Sequence, residues 1–164
     1  MPYHAGMQPT PVGPDSEGAL SDVARISGAV LALSYPVLAV STGVRAAYQL
    51  FFKAGVTDYL PPLLSLVAAL LYLLATVGFA RRSRRAWRIS VAALTVELAL
   101  TLVVGTLSLV MPDVIGRTVW RLYGIDYGFF PLVQPVLGLI WLFWPPTARA
   151  YGVARQRLTG ERAG

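Results

Sequence analysis

The chain has no cysteine and a single histidine, His4, among 164 residues. Disulfides, iron–sulfur clusters and thiol nucleophiles are therefore excluded. Haem is held most often by histidine and zinc by His or Cys, so one histidine in a polar stretch supports neither. Charge is scarce too: Asp, Glu, Lys and Arg make up 13% of the residues, against roughly 25% in a soluble domain. No Walker-type loop, dinucleotide fingerprint, nucleophile elbow or HExxH motif is present. Period-two alternation, the mark of a membrane barrel, is absent as well. We expect no catalytic residue, no cofactor and no metal site, and read the chain as a non-enzyme.

The chain does have apolar residues, 55% of the total, gathered in four long blocks. A transmembrane helix needs about 20 of them to cross a hydrocarbon core about 30 Å thick. The predicted spans run from Ile26 to Val44, Leu60 to Ala80, Ile89 to Met111 and Gly128 to Trp144. The last is the shortest. Proline fits a helix's first turn and cannot continue a helix, so Pro61, Pro62 and Pro131 mark starts while Pro112 and Pro145-Pro146 mark stops. Asp58 is placed to cap the second span. The fold class expected is all-α, a four-helix transmembrane bundle.

The flanks differ in character. Residues 1–25, with Pro2, Pro9, Pro11, Gly13 and Pro14, read as a disordered tail. An acidic rather than basic start argues against a signal peptide. Residues 145–164 read as a basic tail carrying Arg149, Arg155, Arg157 and Arg162, laid along an anionic membrane face.

Basic residues set the orientation. With four crossings, one side holds Arg25, the cluster Arg81, Arg82, Arg84, Arg85 and Arg88, and the four C-terminal arginines, ten of the 14 Lys and Arg in all. The other side holds Arg45, Lys53, Arg117 and Arg121. Excess Lys and Arg stay in the cytoplasm, which predicts both termini inside and a plasma-membrane location. The net charge of +6 is explained this way, and nucleic acid is not an expected partner. Tyr48, Tyr59, Trp120, Tyr123 and Tyr127 are expected at the outer interface, and Trp87, Trp141, Trp144 and Tyr151 at the inner one. Asp113 is expected to cap a short interfacial helix ending at Gly124, with Trp120 and Tyr123 facing lipid.

Glu97 is the only acidic residue inside a span. A charged side chain near a helix centre costs roughly 2.5–3.5 kcal/mol on insertion scales, so it is by default a candidate functional group. Counting inward from the cytoplasmic helix ends places Tyr72, Tyr35 and Gln134 at the same depth, and Tyr72 is the expected hydrogen-bond partner. Pro36 and Pro135 sit at that level, and each must free a carbonyl that a neighbour satisfies. Gly28/Ala32 and Ala39/Gly43 are small-xxx-small pairs that permit close helix contact.

The stretches Val96–Ala99, Val104–Ser108 and Tyr127–Gly138, with the Arg- and Ala-rich composition, resemble small four-span integral membrane proteins of uncharacterised role in high-GC Gram-positive bacteria. The resemblance implies the cell membrane and no particular activity. Small multidrug exporters also have four helices and one intramembrane glutamate, but theirs lies in the first span and this one in the third. The expected function is structural or accessory, binding another membrane component. A proton- or cation-coupled transporter using Glu97 is the alternative. The expected partners are the bilayer, anionic lipid headgroups at the cytoplasmic face, and another membrane protein or a second copy of the chain.

Overall fold

A computed structural model describes residues 14–153. The described residues are helical throughout their ordered elements, with no strand. Three long helices come first: α1 (Pro14–Phe51), α2 (Leu60–Ala80) and α3 (Arg84–Val110). A short α4 (Pro112–Ile115), a tight-turned segment (Arg121–Tyr127), α5 (Phe130–Phe143) and α6 (Pro145–Ala150) follow.

The inside and outside of this assembly invert the pattern of a soluble protein. Buried positions recur every three or four residues on each long helix, and many are small or polar. On α2 they include Ser65, Ala68, Ala69, Ala75 and Gly78; on α3 they include Ala86, Ser90, Ala93, Thr101, Gly105 and Ser108. The opposite faces carry exposed Val, Leu, Ile and Phe, such as Leu33, Val37 and Val40 on α1 and Leu70, Leu73 and Val77 on α2. Helices in lipid gain nothing by hiding leucine from an equally apolar solvent, so they pack through small residues that let backbones approach. In water such continuous apolar faces would be aggregation surfaces.

α1, α2 and α3 are each long and apolar enough to cross a membrane. The fourth candidate is a broken one: Arg121–Tyr127 and α5 together pass the same test but meet at a bend of 96°. α5 alone has 14 residues, about 21 Å at 1.5 Å per residue, short of the apolar thickness of a bilayer.

Several boundaries differ from those read in the sequence. α1 starts at Pro14 rather than Ile26, so residues 14–25 extend a helix where a broken tail was expected. Four prolines and a glycine suggested the tail, but all five lie at or before Pro14, where they do not interrupt a helix that starts there. Residues 1–13 and 154–164, with Arg155, Arg157 and Arg162, lie outside the described residues. At 38 residues α1 is about 57 Å long, much more than one crossing needs. α3 starts five residues early because Ser83 caps it, accepting a hydrogen bond from the Ala86 N–H at 3.2 Å. Asp58 accepts from the Leu60 N–H at 3.0 Å, as its position suggested.

The loop after α3 departs most. No interfacial helix runs from Asp113 to Gly124. The helix stops after Ile115 at Gly116, and Trp120, expected to face lipid, is fully buried. The chain instead turns inward and buries Thr118, Val119 and Trp120, with the Val119 N–H held by Ser65 of α2.

Candidate functional site

Glu97 is the midpoint of α3 and its side chain is fully buried. Tyr35 and Tyr72 are also fully buried, and Gln134 is nearly so. Tyr35 donates a long hydrogen bond, 3.4 Å, to Glu97 Oε2. The expected partner, Tyr72, does not: its hydroxyl has no hydrogen-bond partner. The two tyrosine rings pack edge to face, centroids 6.0 Å apart. Equal depth put both rings in one layer, and only helix rotation decides which hydroxyl reaches the carboxyl. Gln134 approaches α1 rather than Glu97, its Nε2 donating to Ser34 Oγ at 2.6 Å. The layer thus links α1 to α3 through Tyr35 and α1 to α5 through Ser34. Three of its oxygens, Glu97 Oε1, Tyr72 Oη and Gln134 Oε1, have no protein partner.

Thr101 belongs to this region and was overlooked, although it lies one turn beyond Glu97 on the same face. Its Oγ1 is 2.8 Å from the Glu97 carbonyl and 3.1 Å from the Pro131 carbonyl. The second contact follows from covalent chemistry. Pro135 has no N–H, so the carbonyl four residues earlier, that of Pro131, loses its helical donor. In an apolar medium an unpaired carbonyl costs several kcal/mol, and a hydroxyl from the neighbouring helix reduces that cost. The same logic holds at the end of α5. Pro146 leaves the Leu142 carbonyl without a helical donor, and Trp87 Nε1 donates to it at 3.0 Å.

Two serines do comparable work where the chain turns inward after α4. Ser65 donates to the Pro61 carbonyl and accepts from the Val119 N–H at 3.2 Å. Ser108 donates to the Gly105 carbonyl and accepts from the Leu122 N–H at 2.8 Å. Irregular backbone packed among apolar helices is tolerated when protein satisfies its polar groups, and these hydroxyls do so. The chain reverses through Leu122, Tyr123 and Gly124, all at positive φ. At Gly124 (φ +89°) a Cβ would stand 2.7 Å from the Pro131 ring, so only glycine fits there. Tyr127 accepts from Arg45 at 3.2 Å, tying this segment to α1.

At the opposite end the arginine cluster is exposed. Arg84 donates to the Gly152 carbonyl. Tyr151, expected as an interfacial anchor, is instead buried and donates to the Gly78 carbonyl at 3.2 Å. That carbonyl lies in the last turn of α2, where helical donors run out. Burial pushes the Tyr151 hydroxyl above its ordinary pKa, and the Arg82 charge partly offsets this.

No group of three or more His, Asp or Glu side chains suited to a metal ion occurs among the described residues. Comparison with protein families, curated proteins and solved structures finds no match to this chain.

Proposed function

We propose that this chain is a four-span integral membrane protein with both termini in the cytoplasm. Its role is structural or accessory: it binds another membrane component and catalyses no reaction. The observation that carries the reading is the inverted pattern, with many small and polar residues among the buried positions and continuous aliphatic faces exposed. The basic residues support the orientation, since Arg81, Arg82, Arg84, Arg85 and Arg88 share one side with Arg25. In this reading the last crossing is the broken one, α5 with the turned-in segment Arg121–Tyr127 before it. Tyr35 and Glu97 tie α1 to α3, and the plasma membrane is the compartment.

A second reading has its own observation. Three buried oxygens without partners, on Glu97, Tyr72 and Gln134, offer acceptors to a proton or cation moving through the midplane. The two readings separate in liposomes. Glu97→Gln keeps the side chain's shape, so a structural role predicts an intact fold and no flux in either protein. Flux in the natural protein that disappears in a folded Glu97→Gln variant establishes the transporter.

A further inference from the structure

α1 packs chiefly on α2 and only lightly on α5. Where α1 and α5 do meet, the Trp141 ring lies against Gly28 so closely that a Cβ there would stand 2.4 Å from it. A cavity opens on each side of this contact, and Trp141 lines both. The first, about 420 Å³, is bounded by Arg25, Ala29, Phe79, Arg82 and Thr147. Its size falls in the range of roughly 300–1,000 Å³ typical of small-molecule sites. The second, about 280 Å³, is a groove of Val23, Ile26, Val30, Leu137 and Ile140.

We propose that the two cavities together form a binding site for one anionic phospholipid, its phosphate held between Arg25 and Arg82 and an acyl chain laid in the apolar groove. This rests on the membrane reading above and specifies the membrane component bound. Charge and shape both support it. Two guanidinium groups border one cavity, and each presents a planar fork of donors that matches phosphate oxygens in pairs. Among the described residues Arg82 forms no ion pair, and Arg25 pairs with Asp22 at 3.2 Å, a residue that is itself solvent-exposed. Such an exposed pair contributes little, so Arg25 can turn to phosphate at small cost. The groove beside it offers aliphatic side chains and a tryptophan, the surface an acyl chain packs on. An aromatic series leads inward from the cavity. Trp141 contacts Phe79 at 5.6 Å and Phe79 contacts Tyr35 at 5.3 Å, between centroids, so one ring contact separates the cavity wall from the tyrosine that holds Glu97.

The test uses the full chain reconstituted in mixed vesicles, re-extracted in mild detergent and examined by native mass spectrometry. At equal phosphatidylglycerol and phosphatidylcholine, we expect one phosphatidylglycerol retained per chain. Arg25→Gln with Arg82→Gln should lower its retention about tenfold or more, and Arg82→Gln alone by a smaller factor. Arg85→Gln with Arg88→Gln, which removes equal charge outside the cavity, should leave retention unchanged. Ile140→Asn should weaken retention through the groove while leaving both arginines. Helical content and elution volume report the fold of each variant. Equal retention of phosphatidylcholine overturns the proposal, as does equal loss in the Arg85/Arg88 pair, which would mean diffuse surface charge. Displacement by millimolar inorganic phosphate or glycerol phosphate would make this a site for free phosphate and overturn the lipid assignment. A chain that does not enter vesicles at all overturns the membrane reading instead.

Discussion

Replacing Thr101 with valine removes one hydroxyl, keeps the side-chain shape, and isolates how this bundle tolerates its interior proline. The hydroxyl proton is shared between the Glu97 carbonyl at 2.8 Å and the Pro131 carbonyl at 3.1 Å. The Glu97 carbonyl also receives the Thr101 N–H within α3, so it stays paired in the variant. The Pro131 carbonyl has no donor four residues on, because Pro135 supplies none. Hydrogen bonds between membrane helices average about 0.6 kcal/mol with a maximum near 1.7. A buried acceptor left unpaired adds to that loss. We therefore expect Thr101→Val to cost about 1–1.5 kcal/mol. Pro135→Ala changes the balance, since an alanine N–H can bond to the Pro131 carbonyl inside α5. In that background Thr101→Val should cost only about 0.5 kcal/mol, a coupling of about 0.5–1 kcal/mol between residues on different helices. The volume lost at Pro135 is common to both arms of the cycle and cancels. Reversible unfolding in mixed detergent micelles, followed by circular dichroism, gives the four stabilities. Additive costs would refute the reasoning, for the hydroxyl would then not serve the carbonyl that proline leaves bare.

Four further substitutions probe buried hydrogen-bonding groups elsewhere in the helices. Tyr35→Phe should cost about 0.5–1.5 kcal/mol, whereas Tyr72→Phe should be neutral or slightly stabilising because its hydroxyl has no partner. Unfolding midpoints with the opposite ranking would restore Tyr72 as the partner of Glu97. Ser108→Ala removes the acceptor of the Leu122 N–H and should raise hydrogen exchange in residues 117–124, with little change in α2. Uniform exchange across the protein would show that the serine does not hold that segment. Trp87→Phe keeps the ring contact with Phe143 but leaves the Leu142 carbonyl without its donor, for an expected loss of about 1 kcal/mol in the same unfolding assay.

The long helices were legible because a helix long and apolar enough to cross a membrane leaves an unbroken apolar block in the sequence. Once the apolar blocks and prolines were located, α2 followed to the residue, and α3 to within five residues at one end. Counting turns grouped Tyr35, Tyr72, Glu97 and Gln134 as one candidate polar layer, and all four side chains are buried. Rotation was not legible. Tyr35 and Tyr72 sit at equal depth, and only the packing of α1 and α2 against α3 brings one hydroxyl to the carboxyl. Thr101 could have been found, since proline chemistry requires a donor for the Pro131 carbonyl and Thr101 shares the face of Glu97. The turn from Gly116 to Gly124 had a weaker signal. Its Trp, Tyr and Arg residues match an interfacial helix equally well, and its inward course depends on Ser65 and Ser108, distant in sequence, to satisfy its backbone.

The proposed four crossings with both ends inside are tested most directly by labelling, which a chain without cysteine makes clean. Single cysteines would be introduced by Ala54→Cys, Arg81→Cys, Asp126→Cys and Gly164→Cys in intact cells, and exposed to a membrane-impermeant thiol reagent. The account predicts that Ala54→Cys and Asp126→Cys react from outside, while Arg81→Cys and Gly164→Cys react only after the membrane is opened. Labelling of Gly164→Cys from outside, with Arg81→Cys still protected, would mean that the bent segment and α5 do not cross, and the four-span account would fall.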